Sequence, residues 1–169
     1  MPGSDIDRQG HVNNVAYRRW AQDAAVAHST AVGWDALRYH KAGVSWVVRS
    51  HEIRYKRPAV LDDAITVLTW IATFRNASCE RRYEITRTED GIILAEAVTE
   101  WAFVDLESSR PKRIPTELAS SFKGSSGNLL WKWGAEKIPA GEAINAKLSG
   151  DRGRFSNEDS GDFIKLQPA

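Results

Sequence analysis

Asp5-Ile6-Asp7-Arg8-Gln9-Gly10-His11-Val12-Asn13-Asn14-Val15-Ala16-Tyr17 gathers two carboxylates, a glycine, a histidine and two asparagines just ahead of an amphipathic helical pattern. A helix start carries roughly half a positive elementary charge and several unpaired N–H groups, so it can hold a developing anion. A carboxylate beside such a start suits acyl chemistry, with Asp7 as base or nucleophile and a main-chain amide facing the carbonyl oxygen. The same residue types also serve plain structural ends. Asx side chains cap helices, Gly makes tight turns and His is often a solvated side chain, so on residue types alone both readings stand.

The elements that must position these groups are legible from periodicity. From Asn14 to about Val32, Tyr17, Trp20, Ala21, Ala24, Ala27 or His28, and Ala31 recur at helical spacing, with Gly33 closing the helix. A short helix is predicted over Asp35–His40, ended by Gly43. Four strands follow, at Val44–Tyr55, Ala64–Phe74, Cys79–Thr88 and Ile92–Val104, separated by Lys56-Arg57-Pro58, Arg75–Ser78 and the Glu89-Asp90-Gly91 turn. In the third strand Tyr83 and Ile85 share one face, with Glu80, Arg82, Glu84 and Thr86 on the other. In the fourth, Ile93, Ala95, Ala97, Thr99, Trp101 and Phe103 form the inner face. One long helix followed by a meander of long antiparallel strands predicts an α+β domain with the helix on one face of the sheet. Such a sheet leaves an edge and apolar surface that a second copy would cover.

The pattern D-x-x-G-H-V-N-N-x-x-Y, from Asp7 to Tyr17, resembles the signature of the 4-hydroxybenzoyl-CoA thioesterase-like family of hotdog-fold acyl-CoA thioesterases. Tyr55-x-x-Pro58 with Asp62-Asp63, the strands after it, and Arg110-Pro111-x-Arg113-Ile114-Pro115 extend the likeness over residues 5 to 120. The resemblance implies an antiparallel sheet wrapped around one long central helix, built as a homodimer or homotetramer with the site between subunits. It implies hydrolysis of a small acyl- or aroyl-CoA thioester, or of its acyl-carrier-protein counterpart. Asp7 is then the catalytic carboxylate, the main chain of Asn14 the oxyanion donor, and His11 an orienting group. Asn13 shapes the substrate pocket or serves the loop, Tyr17 packs under the loop with a hydroxyl able to line that pocket, and Lys56, Arg57 and Arg75 are candidates for the coenzyme A phosphates. Coenzyme A enters as part of the substrate; no cofactor or metal is expected.

Family members usually carry a strand before the motif. Only four residues precede Asp5, so an outer sheet edge is expected to be exposed and the Asp7 loop less supported. Two other readings stay open: a hotdog enoyl-CoA hydratase using Asp7 and His11, although Asn13 stands where those enzymes place an Asp, and a non-catalytic acyl-CoA binding module.

With 169 residues, 42% hydrophobic and 27% charged, the chain suits one domain with a proper core, and its net charge of +1 gives no field for nucleic acid or an anionic membrane. There is no signal-peptide layout and no run of 18 apolar residues, and the single cysteine, Cys79, excludes an internal disulfide. A cytoplasmic setting is the expectation, with Cys79 a small core residue. His11, His28, His40 and His51 are scattered and form no metal-ligand pattern. The domain is expected over residues 1–123. From 124 to 169 the composition shifts to Gly, Ser, Asn and balanced charge, a C-terminal extension that is weakly ordered or docked, with Leu129, Leu130, Trp131, Trp133, Ile138, Phe155 and Phe163 able to pack.

Overall fold

The computed structural model describes residues 5–8, 10–123 and 128–133, together with the backbone of 164–166; Ile138, Phe155 and Phe163 lie outside the described residues. Helix α1 (Asn14–Ala31) and the short α2 (Ala36–Lys41) precede β1 (Val44–Tyr55), β2 (Ile65–Phe74), β3 (Ser78–Arg87) and β4 (Ile93–Asp105). Then come α3 (Thr116–Ser121), β5 (Asn128–Trp133) and the three-residue β6 (Ile164–Leu166). The sheet order is β5-β2-β3-β4-β1-β6, and every pairing is antiparallel. This is the hotdog architecture, with α1 laid along one sheet face.

Small residues let α1 approach the sheet closely. Ala16, Ala21, Ala24 and Ala25 are buried between the larger Tyr17, Trp20 and His28, whereas Ala31 is exposed, so the buried stripe ends one turn earlier than periodicity suggests. The opposing wall comes from every second residue of the strands: Ile65, Val67 and Thr69; Cys79, Arg81, Tyr83 and Ile85; Ala95, Ala97, Thr99 and Trp101. Arg81 is the only charged member of that wall among the described residues.

The open outer edge expected from the short N-terminal segment is not found. Asn128–Trp133 pairs with β2 over Ile65–Trp70, and Leu129 is buried. Edge N–H and C=O groups are satisfied by whichever strand can reach them, and here one from beyond residue 123 does so. At the other end of the sheet, β6 pairs with β1 only at His51–Ile53.

His51 is 7% exposed, with Nδ1 2.6 Å from the Thr99 hydroxyl and no partner at Nε2 among the described residues. Burial, with a smaller contribution from Arg18, pulls its pKa down to about 4. The unfolded chain therefore takes up a proton near pH 6.5 that the folded chain resists until about pH 4. Stability is at its full value above that window and falls as pH drops through it, by up to about 3 kcal/mol. Urea unfolding at pH 7 and pH 4.5 should show that His51→Gln removes most of this difference; an equal loss of unfolding free energy between the two pH values in both proteins would contradict the assignment.

Candidate active site

Ahead of α1 the chain folds into a tight loop. The Asp7 N–H donates to the His11 carbonyl at 2.7 Å, the Gly10 N–H to the Asp7 carbonyl at 3.1 Å, and the His11 N–H to Asp7 Oδ1 at 3.0 Å. Gly10 supplies the φ of +80° that this turn demands. One carboxylate oxygen of Asp7 is thus oriented by its own loop, and the side chain lies at the protomer surface.

The helix start is held just as closely. Asn13 is the N-cap: its side-chain oxygen accepts from the Ala16 N–H at 3.1 Å, and its own N–H donates to the Asp5 carbonyl at 2.7 Å. Asn14 is the first helical residue, and its amide has no acceptor among the described residues. Asp5, 4% exposed, ion-pairs with Arg19 one turn into α1, which makes it the structural carboxylate of the two. Beneath the loop, Val12 donates to the Ala59 carbonyl at 2.9 Å and His11 bridges Val60. These two contacts tie the loop to the segment after β1.

Tyr17 falls on that support rather than in a pocket. It is 2% exposed, packs edge-on against Tyr55 at 5.1 Å, and its hydroxyl accepts from the Ala59 N–H at 2.8 Å. Burial raises its pKa, so the phenol stays neutral.

The candidate phosphate-binding cations are not gathered together. Lys56 pairs with Glu96 at 3.2 Å, whereas Arg57, two residues from Ala59, is exposed without an ionic partner among the described residues. Arg75 pairs with Glu100 at 3.5 Å at the opposite end of the sheet. The register sets Tyr55 against Ala95 and Cys79 against Trp101, so about six residues, or roughly 20 Å of strand, separate the two ends. Within one protomer Arg75 does not join the Asp7 loop.

A cavity of about 360 Å³ lies elsewhere, between the C-terminal half of α1, α2 and the sheet, with Trp34, Tyr39, Trp46, Arg81, Trp101 and Phe122 in its wall. None of Asp7, His11, Asn13, Asn14 or Tyr17 lines it. Its nearest α1 residue, Gln22, is eight residues from Asn14, about 12 Å along the helix. Cys79 also borders it, but burial pushes its thiol up to about 12, which removes it as a nucleophile. Arg81 escapes a sequence search for motifs; its signal was parity, since positions 79, 81, 83 and 85 share the apolar face. Among the described residues no cluster of metal-ligating side chains occurs, and no helix is long and apolar enough to cross a membrane.

The pattern of the thioesterase-like superfamily matches residues 2–122, which takes in the loop, helices α1, α2 and α3 and the four central strands. The chain belongs to the thioesterase-like superfamily. It is 27% identical over 119 residues to the long-chain acyl-CoA thioesterase FadM of Escherichia coli K12, covering 69% of this chain and 87% of that protein. It is 28% identical over 127 residues to the acyl-CoA thioester hydrolase YbgC of Escherichia coli O6:H1, covering 70% and 88%. Among solved structures, the DHNA-CoA thioesterase of Staphylococcus aureus superposes with a TM-score of 0.62 at 20% identity, over 67% of this chain and 75% of that one, a likeness of fold.

The Tyr17 hydroxyl is the buried acceptor of the Ala59 N–H, so Tyr17→Phe should strand that donor and cost about 1–3 kcal/mol in chemical denaturation. An unchanged unfolding free energy would mean that the loop is anchored without it.

Proposed function

We propose that this chain hydrolyses the thioester of a small acyl- or aroyl-CoA to the free acid and coenzyme A. The observation that carries the reading is the junction itself: a carboxylate oriented by the His11 N–H stands just before a helix whose first amide, on Asn14, has no acceptor among the described residues. A substrate carbonyl oxygen completes that amide.

In this reading Asp7 takes a proton from water as the water oxygen bonds to the thioester carbon. The carbonyl electrons move onto oxygen, where the Asn14 N–H stabilises the charge; one well-aimed donor is worth roughly 3–4 kcal/mol in a transition state. Collapse of the tetrahedral adduct breaks the C–S bond, and the Asp7 proton returns to the departing thiolate. Direct attack by the Asp7 carboxylate, giving a mixed anhydride that water then cleaves, uses the same geometry. His11, whose N–H holds the Asp7 carboxylate, and Asn13, which caps the helix, act as positioning residues.

Of the three candidate cations, Arg57 is the unpaired one beside the loop among the described residues, and Arg75 contributes only from a second copy. A second copy is also supported by the apolar side chains flanking the loop, with Val15 71%, Val60 40% and Leu61 52% exposed. A homodimer, or a tetramer built from it, would cover them.

Thiol release from acyl-CoAs of graded length and aromaticity, with acyl-carrier-protein thioesters as a second panel, tests the reading. Wild type is expected to turn over part of the CoA panel, and Asp7→Asn to lose at least about 100-fold in kcat with its fold intact. Near-normal turnover by the variant would remove Asp7 from the mechanism, and no thiol release from any thioester would overturn the assignment.

A further inference from the structure

Arg81 projects from β3 onto the face covered by α1 and is 4% exposed. Its Nη1 lies 2.9 Å from His28 Nδ1 and 3.2 Å from the Thr69 hydroxyl, and its guanidinium carbon stands 5.5 Å from the centre of the Phe122 ring. All three partners are uncharged. Arginine only donates, so His28 Nδ1 must accept, which places the imidazole proton on Nε2 and keeps that ring neutral. The Arg81 Nε and Nη2 groups have no acceptor among the described residues, and no carboxylate there pairs with the charge.

A buried cation with no counter-ion among the described residues is costly to the fold. This one borders the cavity of about 360 Å³, which has no Asp or Glu in its wall among the described residues. The remaining surface is mainly apolar, with five aromatic side chains, Trp34, Tyr39, Trp46, Trp101 and Phe122, and a polar share from Ser29, Ser45 and His40. The Tyr39 oxygen accepts from Trp46 Nε1 at 3.0 Å, and the Trp34 indole N–H has no acceptor among the described residues. One fixed positive charge in the wall of a mainly apolar chamber of this size matches a compact amphiphilic anion.

We propose that this cavity binds the carboxylate of a small organic acid, with Arg81 holding the anion and the aromatic walls enclosing an aryl or short alkyl body. The carboxylate forms a fork-to-fork pair with the free edge of the guanidinium, while His28 and Thr69 keep the other edge in place. The site is separate from the Asp7 loop within the protomer and does not depend on thioester hydrolysis. The acid has two sources of the same chemistry: a free carboxylic acid, or the distal carboxylate of a dicarboxylic acyl group.

Titration calorimetry on the full chain, with benzoate and hexanoate against benzamide and hexanamide, tests the proposal in wild type alone. The acids are expected to bind at least about tenfold more tightly than their neutral amides. Arg81→Met, which keeps the stem and removes the charge, should weaken the acids by at least about tenfold and leave the amides within about twofold. The same variant should unfold at an equal or higher temperature than ligand-free wild type, because it relieves an uncompensated charge. Displacement of bound benzoate by mono-CoA thioesters of dicarboxylic acids would assign the carboxylate to an acyl group, and no displacement would assign it to a free acid; the proposal stands in both cases. Equal binding of acid and amide, no binding of either, or unchanged acid binding by Arg81→Met would overturn it. Because no readout here is turnover, failure leaves the thioesterase reading intact, and failure of thiol release leaves this one intact.

Discussion

Where α1 begins is decided by a short set of backbone contacts, and the chemistry of the molecule hangs on them. Val12 and His11 are stitched to Ala59 and Val60, and the Tyr17 hydroxyl takes the Ala59 N–H from the other side. Three attachments between two loops leave the first helical turn no freedom to shift. The Asn13 side chain caps one later amide, and the amide of Asn14 is left without an acceptor among the described residues. Catalysis by fixed dipoles works only when they are oriented before the substrate arrives. That orientation is built from hydrogen bonds at the helix start, and the alanine-rich face of α1, closely packed on the sheet, keeps it rigid.

Much of this was readable in the residues. The spacing of Tyr17, Trp20, Ala21 and Ala24 marks the buried stripe of α1, and the strand runs fall within a residue or two of β1 to β4. Asp7, Gly10 and Asn13 announce a turn and a cap because their side chains and φ preferences have few other uses in that order. Three features were less accessible. Periodicity could not separate a phenol that lines a pocket from one that braces a loop, so Tyr17 needed its Ala59 contact to be placed. The partnership of β5 with β2 is a long-range pairing across a stretch of mixed composition, and local pattern carries no information about which edge a strand will find. Lys56, Arg57 and Arg75 were grouped by charge, whereas strand register sets them at opposite ends of the sheet.

Arg81 illustrates a different blind spot. Strand parity puts it on the buried side, but a motif search looks for clusters in sequence, and its partners His28 and Thr69 lie 53 and 12 residues away. α1 therefore borders two features. Its N-terminal turn leaves the Asn14 amide without an acceptor among the described residues, and its C-terminal half roofs a chamber with a buried cation. The first lies at the protomer surface; the second is lined by residues of one protomer.

The central claim is that the Asn14 N–H stabilises the oxyanion, and the most direct measurement replaces that one peptide bond with an ester, deleting the donor while keeping every side chain. The proposed chemistry predicts a fall in kcat for thioester hydrolysis of about 100-fold or more with little change in unfolding free energy. A kcat within about threefold of wild type would contradict it.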